Sequence, residues 1–272
     1  MNKKISVVMS VYSNDKAIHF KHSVESLLNQ TYKPSEIIII VDGKVPTKIE
    51  ELLNYYKENN IINIIWLEEN KGLANALNVG ISRSKHELIA RMDSDDICFE
   101  DRLEKQLKHL TENNLDFIGG QMIEFGNDKK DIISYRKVPV NHVDIVKYMK
   151  FRAPFSHPTV LFKKEVFIKL NGYDVNIFPE DYDFFVRVYL NGFKMGNLNE
   201  NVLWFRLGAN LSEALKRRWG KSYAKNEYKL YKKYFKLGFY NRLEFFKAIL
   251  FKIPLRLLPF PVFKFIYFKM FR

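Results

Sequence analysis

The chain has 272 residues, of which 47% are hydrophobic and 28% charged, so it is long and apolar enough to bury a full core. Its single cysteine excludes a disulfide scaffold and a cysteine-rich zinc site. The formal net charge of +13 suggests an anionic partner, which could be nucleic acid, a membrane surface or a polyphosphate.

The positive charge is concentrated at the carboxyl end of the chain. Residues 1–215 carry a net charge of −1, whereas residues 216–272 carry +14 and hold 17 of the 41 aromatic residues. The composition therefore predicts a nearly neutral body followed by a basic, aromatic tail.

The body is predicted to alternate strands with helices. It starts with an apolar run that is too short for a secretion signal, so we expect a protein that faces the cytosol. Strands separated by helices of about a dozen residues indicate βαβ units and a parallel sheet. The predicted strands are 5–11, 36–41, 61–67 and 87–92, and the predicted helices between them include 47–59 and 72–83.

Polar residues follow the predicted strands, at the sheet edge where ligands bind in such folds. Asp42 could accept a hydrogen bond from a base or a ribose, although a plain turn residue before Gly43 is the alternative. Lys71 and the backbone N–H groups at the start of the helix 72–83 would suit an anion.

An acidic run, Asp93-Ser94-Asp95-Asp96, directly follows the fourth predicted strand. Carboxylates two residues apart could converge on Mg²⁺ or Mn²⁺, which prefer a few carboxylates plus substrate phosphates. The alternative is a set of acids that favours the start of a helix at 100–112. Arg91 could balance this charge or contact a phosphate.

A second pair of acids, Glu180 and Asp181, lies just after Pro179 at a predicted helix start. One of these carboxylates could act as a general base in a cleft, or both could simply interact with the helix dipole. Phe184, Phe185 and Val188 are predicted to face the interior.

The tail is predicted to contain basic amphipathic helices at 212–236 and 241–252, followed by short pieces broken at Pro254, Pro259 and Pro261. The apolar stripe of the first helix is predicted to comprise Ala224, Tyr228, Tyr231 and Phe235. Such segments are typical of attachment to an anionic membrane surface, and packing of the tail on the body is the alternative. No nucleic-acid-binding motif accompanies the charge, so we expect no nucleic acid partner.

Taken in order, these motifs resemble the family 2 glycosyltransferases with the GT-A fold. The resemblance covers about residues 4–206. It is carried by SVYSND after the first strand, Asp42, NKGLANALNVGI at 70–81, ARMDSDDI at 90–97, HPTVLFKKEVFIKLNGYD at 157–174 and PEDYDFFVRV at 179–188.

The resemblance implies an α/β fold with a Rossmann-like, mostly parallel sheet flanked by helices, followed by C-terminal amphipathic helices. Residues 1–211 would form the catalytic domain, with a nucleotide-binding half at 1–97 and an acceptor half at 98–211. Residues 212–272 would form the membrane-associating tail.

The resemblance also implies the site. Asp181 would be the catalytic base, and Asp95 with Asp93 would hold Mn²⁺ or Mg²⁺. The groups expected to bind the nucleotide-sugar are Tyr12, Asp42, Lys71, Asn78, Arg91 and Asp93. Those expected to bind the acceptor are Glu180, His157, Arg206, Arg217 and Arg218.

The implied reaction is inverting, metal-dependent transfer of one glucose or galactose from a UDP-sugar. The segment LKRRWGKSYAKNE resembles the branch that serves O-antigen and amylovoran-type exopolysaccharide synthesis. That branch implies a β-1,3 linkage to N-acetylglucosaminyl-diphospho-undecaprenol, at the cytoplasmic face of the bacterial inner membrane. Alternatives are another donor (UDP-GlcNAc, UDP-GalNAc or dTDP-rhamnose), or an acceptor in capsule or lipopolysaccharide synthesis. A sugar-nucleotidyltransferase is less consistent with SVYSND, which lacks a glycine-rich phosphate loop.

Overall fold

The computed structural model describes residues 3–207, 215–216 and 218–271, with side chains described through residue 267. Its strands are β1 (Ile5–Val11), β2 (Glu36–Asp42), β3 (Ile62–Leu67), β4 (Leu88–Asp93), β5 (Ile97–Cys98), β6 (Phe117–Phe125), β7 (Ile132–Arg136), β8 (Leu161–Lys163) and β9 (Met195–Arg206). Its helices are α1 (Ala17–Leu28), α2 (Thr47–Lys57), α3 (Leu73–Arg83), α4 (Arg102–Glu112), α5 (His142–Met149), α6 (Lys164–Lys169), α7 (Glu180–Leu190), α8 (Lys221–Lys236), α9 (Arg242–Leu257) and α10 (Phe260–Phe271).

The strands form one nine-stranded sheet in the order β3-β2-β1-β4-β8-β6-β9-β5, with β7 paired to β6. The first four strands are parallel, and β6 and β9 run in the same direction, whereas β5, β7 and β8 run against them. The mostly parallel α/β fold predicted from the alternating pattern is therefore confirmed, with the four predicted strands displaced by one residue at most.

The first strands are apolar throughout because both faces of the sheet are covered by helices. Val8 belongs to a core that contains residues of α3 and α7. Its neighbours Val7 and Met9 belong to a second core, which contains residues of α1, α2 and α4. Gly80 allows α3 to approach the sheet closely, since a Cβ atom there would lie 2.5 Å from Cγ1 of Val8.

The tail departs from two sequence predictions. The predicted breaks at Pro254 and Pro261 are wrong, because Pro254 lies within α9 and Pro261 lies in the first turn of α10, whereas the predicted break at Pro259 falls between these two helices. Proline is accommodated in a first helical turn, where its missing N–H would have no partner. Pro254 is exposed, so water can reach the carbonyl group that loses its helical hydrogen bond.

The buried face of α8 also differs from the predicted stripe. Ala224 and Tyr231 are buried as predicted, but Tyr228 and Phe235 are exposed, and Leu230 and Tyr234 are buried instead. Tyr234 packs edge-on against Tyr182 of α7, with their ring centroids 5.7 Å apart. The tail therefore packs on the body. Among the described residues, no helix is both long and apolar enough to cross a membrane.

Candidate active site

The carboxyl ends of β1, β2 and β4 meet at one edge of the sheet, where Ser10 pairs with Asp93. Asp42, at the end of β2, is buried and accepts hydrogen bonds from the backbone N–H groups of Lys71 at 2.9 Å and Gly72 at 3.0 Å. Asp42 therefore holds the turn that precedes α3. A contact between Asp42 and a nucleotide stays a prediction.

The turn that Asp42 holds depends on Gly43, whose φ of +80° lies in the left-handed region. A Cβ atom at Gly43 would lie 2.7 Å from the backbone nitrogen of Asn70. The side chain of Lys71 is exposed, with its Nζ 3.3 Å from Glu69 Oε1. Tyr12 is partly buried at the same edge of the sheet, where its N–H donates to Asp15 at 2.9 Å.

Three carboxylates converge at the end of β4. Asp93, Asp95 and Asp96 each offer an oxygen, and these oxygens lie within 4.8 Å of one another. We call these three residues the acid cluster. Asp96 is fully buried, and its Oδ2 has no hydrogen-bond partner among the described residues. Close carboxylate oxygens, two of them on partly exposed residues and one buried without a partner, suit a hard divalent cation such as Mg²⁺ or Mn²⁺. The sequence prediction named Asp93 and Asp95 as ligands and did not include Asp96.

The electrostatics of the acid cluster favour a cation. Burial, and then the charge of Asp93, raise the pKa of Asp95 to about 7. Burial also raises the pKa of Asp96 well above its usual range, and that of nearby Asp15 to about 6. A bound cation would stabilise the charged forms of these carboxylates and release their protons.

Arg91 and Arg206 hold the acid cluster in place. The buried Arg91 makes a two-pronged ion pair with Asp93, with Nη1 at 2.5 Å from Oδ2. Arg206 donates its backbone N–H to Asp96 at 2.8 Å and its Nε to the carbonyl of Asp95 at 2.9 Å. These contacts show that Arg206 shapes the acidic turn, and its predicted contact with the acceptor stays a prediction. They also show that Arg91 orients Asp93, and the predicted contact of Arg91 with the donor stays a prediction.

Two other predicted ligand-binding residues have protein partners. Asn78 donates to the carbonyl of Tyr173 at 2.9 Å and accepts from its N–H at 2.8 Å, so it fixes the loop beside α3. His157 is buried with its Nε2 2.9 Å from the hydroxyl of Tyr173. Burial and the charge of Arg91 lower the pKa of His157 well below its usual range, so its ring is neutral. Both contacts position Tyr173, and the predicted contacts of Asn78 with the nucleotide-sugar and of His157 with the acceptor stay predictions.

The second acidic pair lies at the start of α7. Burial, and then the charge of Asp181, raise the pKa of Glu180 to about 7. The charge of Arg91 lowers this pKa, and the charge of Asp93 raises it. Asp181 accepts a hydrogen bond from the backbone of Tyr182 at 2.7 Å. Burial raises the pKa of the Tyr173 hydroxyl. The charge of Arg91 lowers this pKa, and the charges of Asp181 and Glu180 raise it further. The start of α7 and the acid cluster are therefore linked electrostatically, since the charges of Arg91 and Asp93 act on the pKa of Glu180.

A buried ion-pair network that the sequence analysis missed holds α7. Asp183 is fully buried, two residues after Asp181, and accepts hydrogen bonds from Arg187 Nε and from Lys233 Nζ of α8, each at 2.7 Å. Arg187 also donates to the carbonyl groups of Leu170 and Gly172, each at 2.8 Å. The only sequence signal was an acid and an arginine four residues apart on α7, and nothing indicated that the tail would supply the second cation.

Two tail arginines were expected near the acceptor. Arg217 lies outside the described residues. Arg218 is exposed, and its Nη1 lies 3.0 Å from the hydroxyl of Tyr267. Although burial opposes it, the pKa of Arg218 is raised, mainly by Tyr267 and Tyr223 and least by Asp181.

Comparison with known proteins places this arrangement among sugar-transferring enzymes. The family described as Glycosyl transferase family 2 matches residues 6–170. The chain is 33% identical to the UDP-Gal:alpha-D-GlcNAc-diphosphoundecaprenol beta-1,3-galactosyltransferase of Escherichia coli, over 94% of this chain and 92% of that protein. It is 31% identical to the amylovoran biosynthesis glycosyltransferase AmsE of Erwinia amylovora, over 96% of this chain and 97% of that protein.

Solved structures share the fold at low sequence identity. The mannosyltransferase PcManGT of Pyrobaculum calidifontis, solved with GDP-Man and Mn²⁺, superposes with a TM-score of 0.68 at 15% identity, covering 96% of this chain and 73% of that chain. S. aureus TarS 1-349, solved with UDP-GlcNAc, gives a TM-score of 0.68 at 15% identity, covering 90% of this chain and 70% of that chain.

Proposed function

Because the chain belongs to glycosyl transferase family 2 and is a glycosyltransferase with the GT-A fold, we propose that it transfers one hexose, glucose or galactose, from a UDP-sugar to a lipid-linked sugar. The proposed acceptor is N-acetylglucosaminyl-diphospho-undecaprenol, and the proposed product is β-1,3-linked, within O-antigen or exopolysaccharide synthesis. The division into a catalytic domain at 1–211 and a membrane-associating tail at 212–272 is part of this proposal.

The observation that carries the proposal is the acid cluster, together with an acidic start of α7 at which the charges of Arg91 and Asp93 act on the pKa of Glu180. An inverting transfer needs a cation-holding group beside the leaving diphosphate and a base on the other side of the sugar. The printed name of the E. coli relative supports the choice of donor and acceptor. TarS bound to UDP-GlcNAc supports a UDP-sugar as the donor class.

The acid cluster would hold Mn²⁺ or Mg²⁺, which supplies positive charge to the leaving diphosphate when it is bound. Arg91 keeps Asp93 oriented for this task through its two-pronged ion pair. Asp181 accepts the proton of the acceptor hydroxyl as the hydroxyl oxygen bonds to the anomeric carbon and the bond from that carbon to the diphosphate breaks, so that UDP leaves with the electron pair. Burial keeps the neighbouring Glu180 protonated up to about neutral pH, so that Glu180 can donate a hydrogen bond to a sugar hydroxyl. Tyr12, Asp42 and Lys71 are proposed to contact the nucleotide.

We place the protein at the cytoplasmic face of the bacterial inner membrane, attached through its tail. Five apolar residues of α9 have more than half of their surface exposed, and all but Phe251 form a stripe along the helix, which packs with its opposite face. We call this the α9 stripe: Leu243 (64% exposed), Phe246 (60%), Leu250 (67%) and Leu257 (54%). The basic residues around this stripe suit an anionic lipid surface.

Replacing Asp181 with Asn tests the proposed mechanism. Asp181→Asn removes the base while keeping its size, so we expect UDP-sugar binding to persist and transfer to fall by about 10²–10⁴-fold. The assay is release of UDP in the presence of Mn²⁺ and a synthetic N-acetylglucosaminyl-diphospho-lipid. Asp144→Asn, at an exposed carboxylate in the first turn of α5, is the matched control and should keep full activity. Normal turnover of Asp181→Asn would contradict the assignment of the base.

A further inference from the structure

An exposed aromatic ring lies directly before the helix that carries the proposed base. Phe178 is 49% exposed and precedes Pro179, the N-cap residue of α7. Asp181 follows Phe178 by three residues, so their Cα atoms are at most about 11 Å apart. Single exposed apolar side chains are common, but Phe178 has two acids, Glu180 and Asp181, close to it in the chain and a fixed aromatic partner.

That aromatic partner comes from the tail. Tyr223 of α8 packs against Phe178 with the ring centroids 5.9 Å apart and the ring planes at 85°. The guanidinium carbon of Arg256 in turn lies 4.7 Å from the centroid of the Tyr223 ring, and Arg256 is ion-paired with the buried Glu227 at 2.9 Å. Edge-to-face and cation–π contacts have preferred geometries. Phe178 is therefore held through Tyr223 by a buried ion pair of the tail.

A second contact fixes α8 against the same stretch of the body. Lys233 Nζ of α8 lies 2.7 Å from Asp183 Oδ1. Phe178 precedes Asp181 in the chain and Asp183 follows it, so α8 contacts the body on both sides of the proposed base. The ring of Phe178 is therefore fixed relative to α7 by two independent contacts with one helix of the tail.

An aromatic ring followed by two acids suits a sugar. One face of a pyranose consists largely of C–H groups, whose hydrogens are attracted to the negative face of an aromatic ring, and its hydroxyl groups can donate to carboxylates. The alkyl chain of a lipid would also contact the ring, but acids beside an alkyl chain lose their hydration without gaining a hydrogen bond. The sequence of groups Phe178, Glu180 and Asp181 therefore fits the sugar whose hydroxyl meets the base.

Resting on the proposed function, we propose that the ring of Phe178 stacks on the acceptor sugar, the N-acetylhexosamine whose hydroxyl attacks the donor, and that Tyr223 is the residue that positions this ring. The contact favours sugars that present a flat C–H face to Phe178, because an axial hydroxyl on that face would hold the two rings apart. The subsite is completed only when the tail is folded on the body, since Phe178 comes from the body and Tyr223 from α8.

The test measures, by calorimetry, the binding of hexyl N-acetylglucosaminyl diphosphate and of hexyl diphosphate, which lacks the sugar. Phe178→Leu keeps an apolar side chain but removes the ring, so it should weaken binding of the sugar compound by about 3- to 10-fold. Binding of hexyl diphosphate, and of UDP with Mn²⁺, should stay unchanged. Phe178→Trp should bind the sugar compound normally, as should Phe251→Leu, the matched control at an exposed phenylalanine of α9.

The positioning role of Tyr223 is tested with the same two compounds. Tyr223→Leu should weaken binding of the sugar compound selectively, because Phe178 loses its edge-on partner. Tyr223→Phe should restore this binding, since the contact needs only the ring. Equal binding of the sugar compound by wild-type protein and by Tyr223→Leu would show that Tyr223 does not position Phe178.

Three results for Phe178→Leu would overturn the proposal. Unchanged binding of the sugar compound would show that the ring does not contact the sugar. Equal weakening of hexyl diphosphate would assign Phe178 to the alkyl chain or the diphosphate. Reduced sedimentation with phosphatidylglycerol vesicles alone would assign it to the membrane surface. If Phe178→Leu failed to fold, Phe178→Met, which also lacks the ring, would carry the test.

Failure of the proposed function is distinguishable from failure of this subsite. If the proposed function were wrong, wild-type protein would transfer no sugar to hexyl N-acetylglucosaminyl diphosphate, even where Phe178→Leu weakens its binding. If only the subsite were wrong, wild-type protein and Phe178→Leu would bind and use this acceptor equally well. Absence of binding to wild-type protein would overturn both.

Discussion

Lys233 of the tail forms an ion pair with α7, the helix that carries the proposed base. Replacing Lys233 with Met removes this ion pair and leaves the rest of the tail unchanged, so it measures what the ion pair contributes. Lys233 Nζ lies 2.7 Å from Asp183 Oδ1 and 3.5 Å from Asp174 Oδ2. Lys233→Met keeps the aliphatic packing and leaves the buried Asp183 with Arg187 as its remaining cationic partner.

The expected loss of stability follows from the burial of the two partners. A hydrogen bond to a charged group contributes about 1.5–3 kcal/mol. Because the Lys233 side chain is 31% exposed, solvent screening reduces this to about 1–2 kcal/mol. For a chain of this size, that loss corresponds to a fall in Tm of about 2–8 °C. Asp183→Asn would cost about 3–5 kcal/mol, since it leaves Arg187 and Lys233 without their shared buried partner.

Activity should respond as well as stability. Asp181 lies one half-turn from Asp183, so a loosened helix start displaces the proposed base, and we expect kcat to fall about tenfold with little change in the KM for the donor. The assays are differential scanning calorimetry and UDP release under saturating donor. Lys233→Arg should restore most of the activity, and Lys232→Met, at an exposed lysine of the same helix, should behave as wild type.

A double-mutant cycle provides the refutation. If Lys233 and Asp183 interact as described, the effects of Lys233→Met and Asp183→Asn on stability should not add. Additive effects, or a Lys233→Met variant with wild-type Tm and kcat, would show that α8 does not position α7.

Two further predictions concern the metal and the membrane. Asp95→Ala should abolish the rise in Tm that Mn²⁺ gives the wild-type protein and should abolish transfer, whereas transfer retained in EDTA would contradict a metal role. Phe246→Glu with Leu250→Glu should reduce sedimentation with phosphatidylglycerol vesicles by about tenfold or more, because two charges replace apolar contacts of the α9 stripe. The control is Tyr55→Glu, at an exposed residue of α2, which should leave vesicle binding unchanged. Unchanged binding of the Phe246→Glu, Leu250→Glu double variant would show that the α9 stripe does not attach the tail to the membrane.

The sequence predicted those features of the structure that depend on residues close together in the chain. The strands β1 to β4 are predictable because residues buried on both faces must be apolar at every position. The acidic run at 93–96 is visible as a possible metal site because its carboxylates are adjacent in the chain. The breaks predicted at Pro254 and Pro261 are absent because the effect of a proline depends on its position within a helical turn and on exposure to water.

The sequence by itself determined a parallel α/β body, a set of acids at its strand ends and a basic tail. Only the tertiary structure decided which polar groups remain available, because hydrogen-bond partners come from distant segments. Asn78 is bonded to Tyr173, and Arg206 to the acidic turn. The structure also decided that the tail contributes to the packing of α7, since Lys233 of the tail donates to Asp183 of that helix. The +14 charge of the tail therefore does more than suit a membrane, because part of it forms ion pairs with acids of the body.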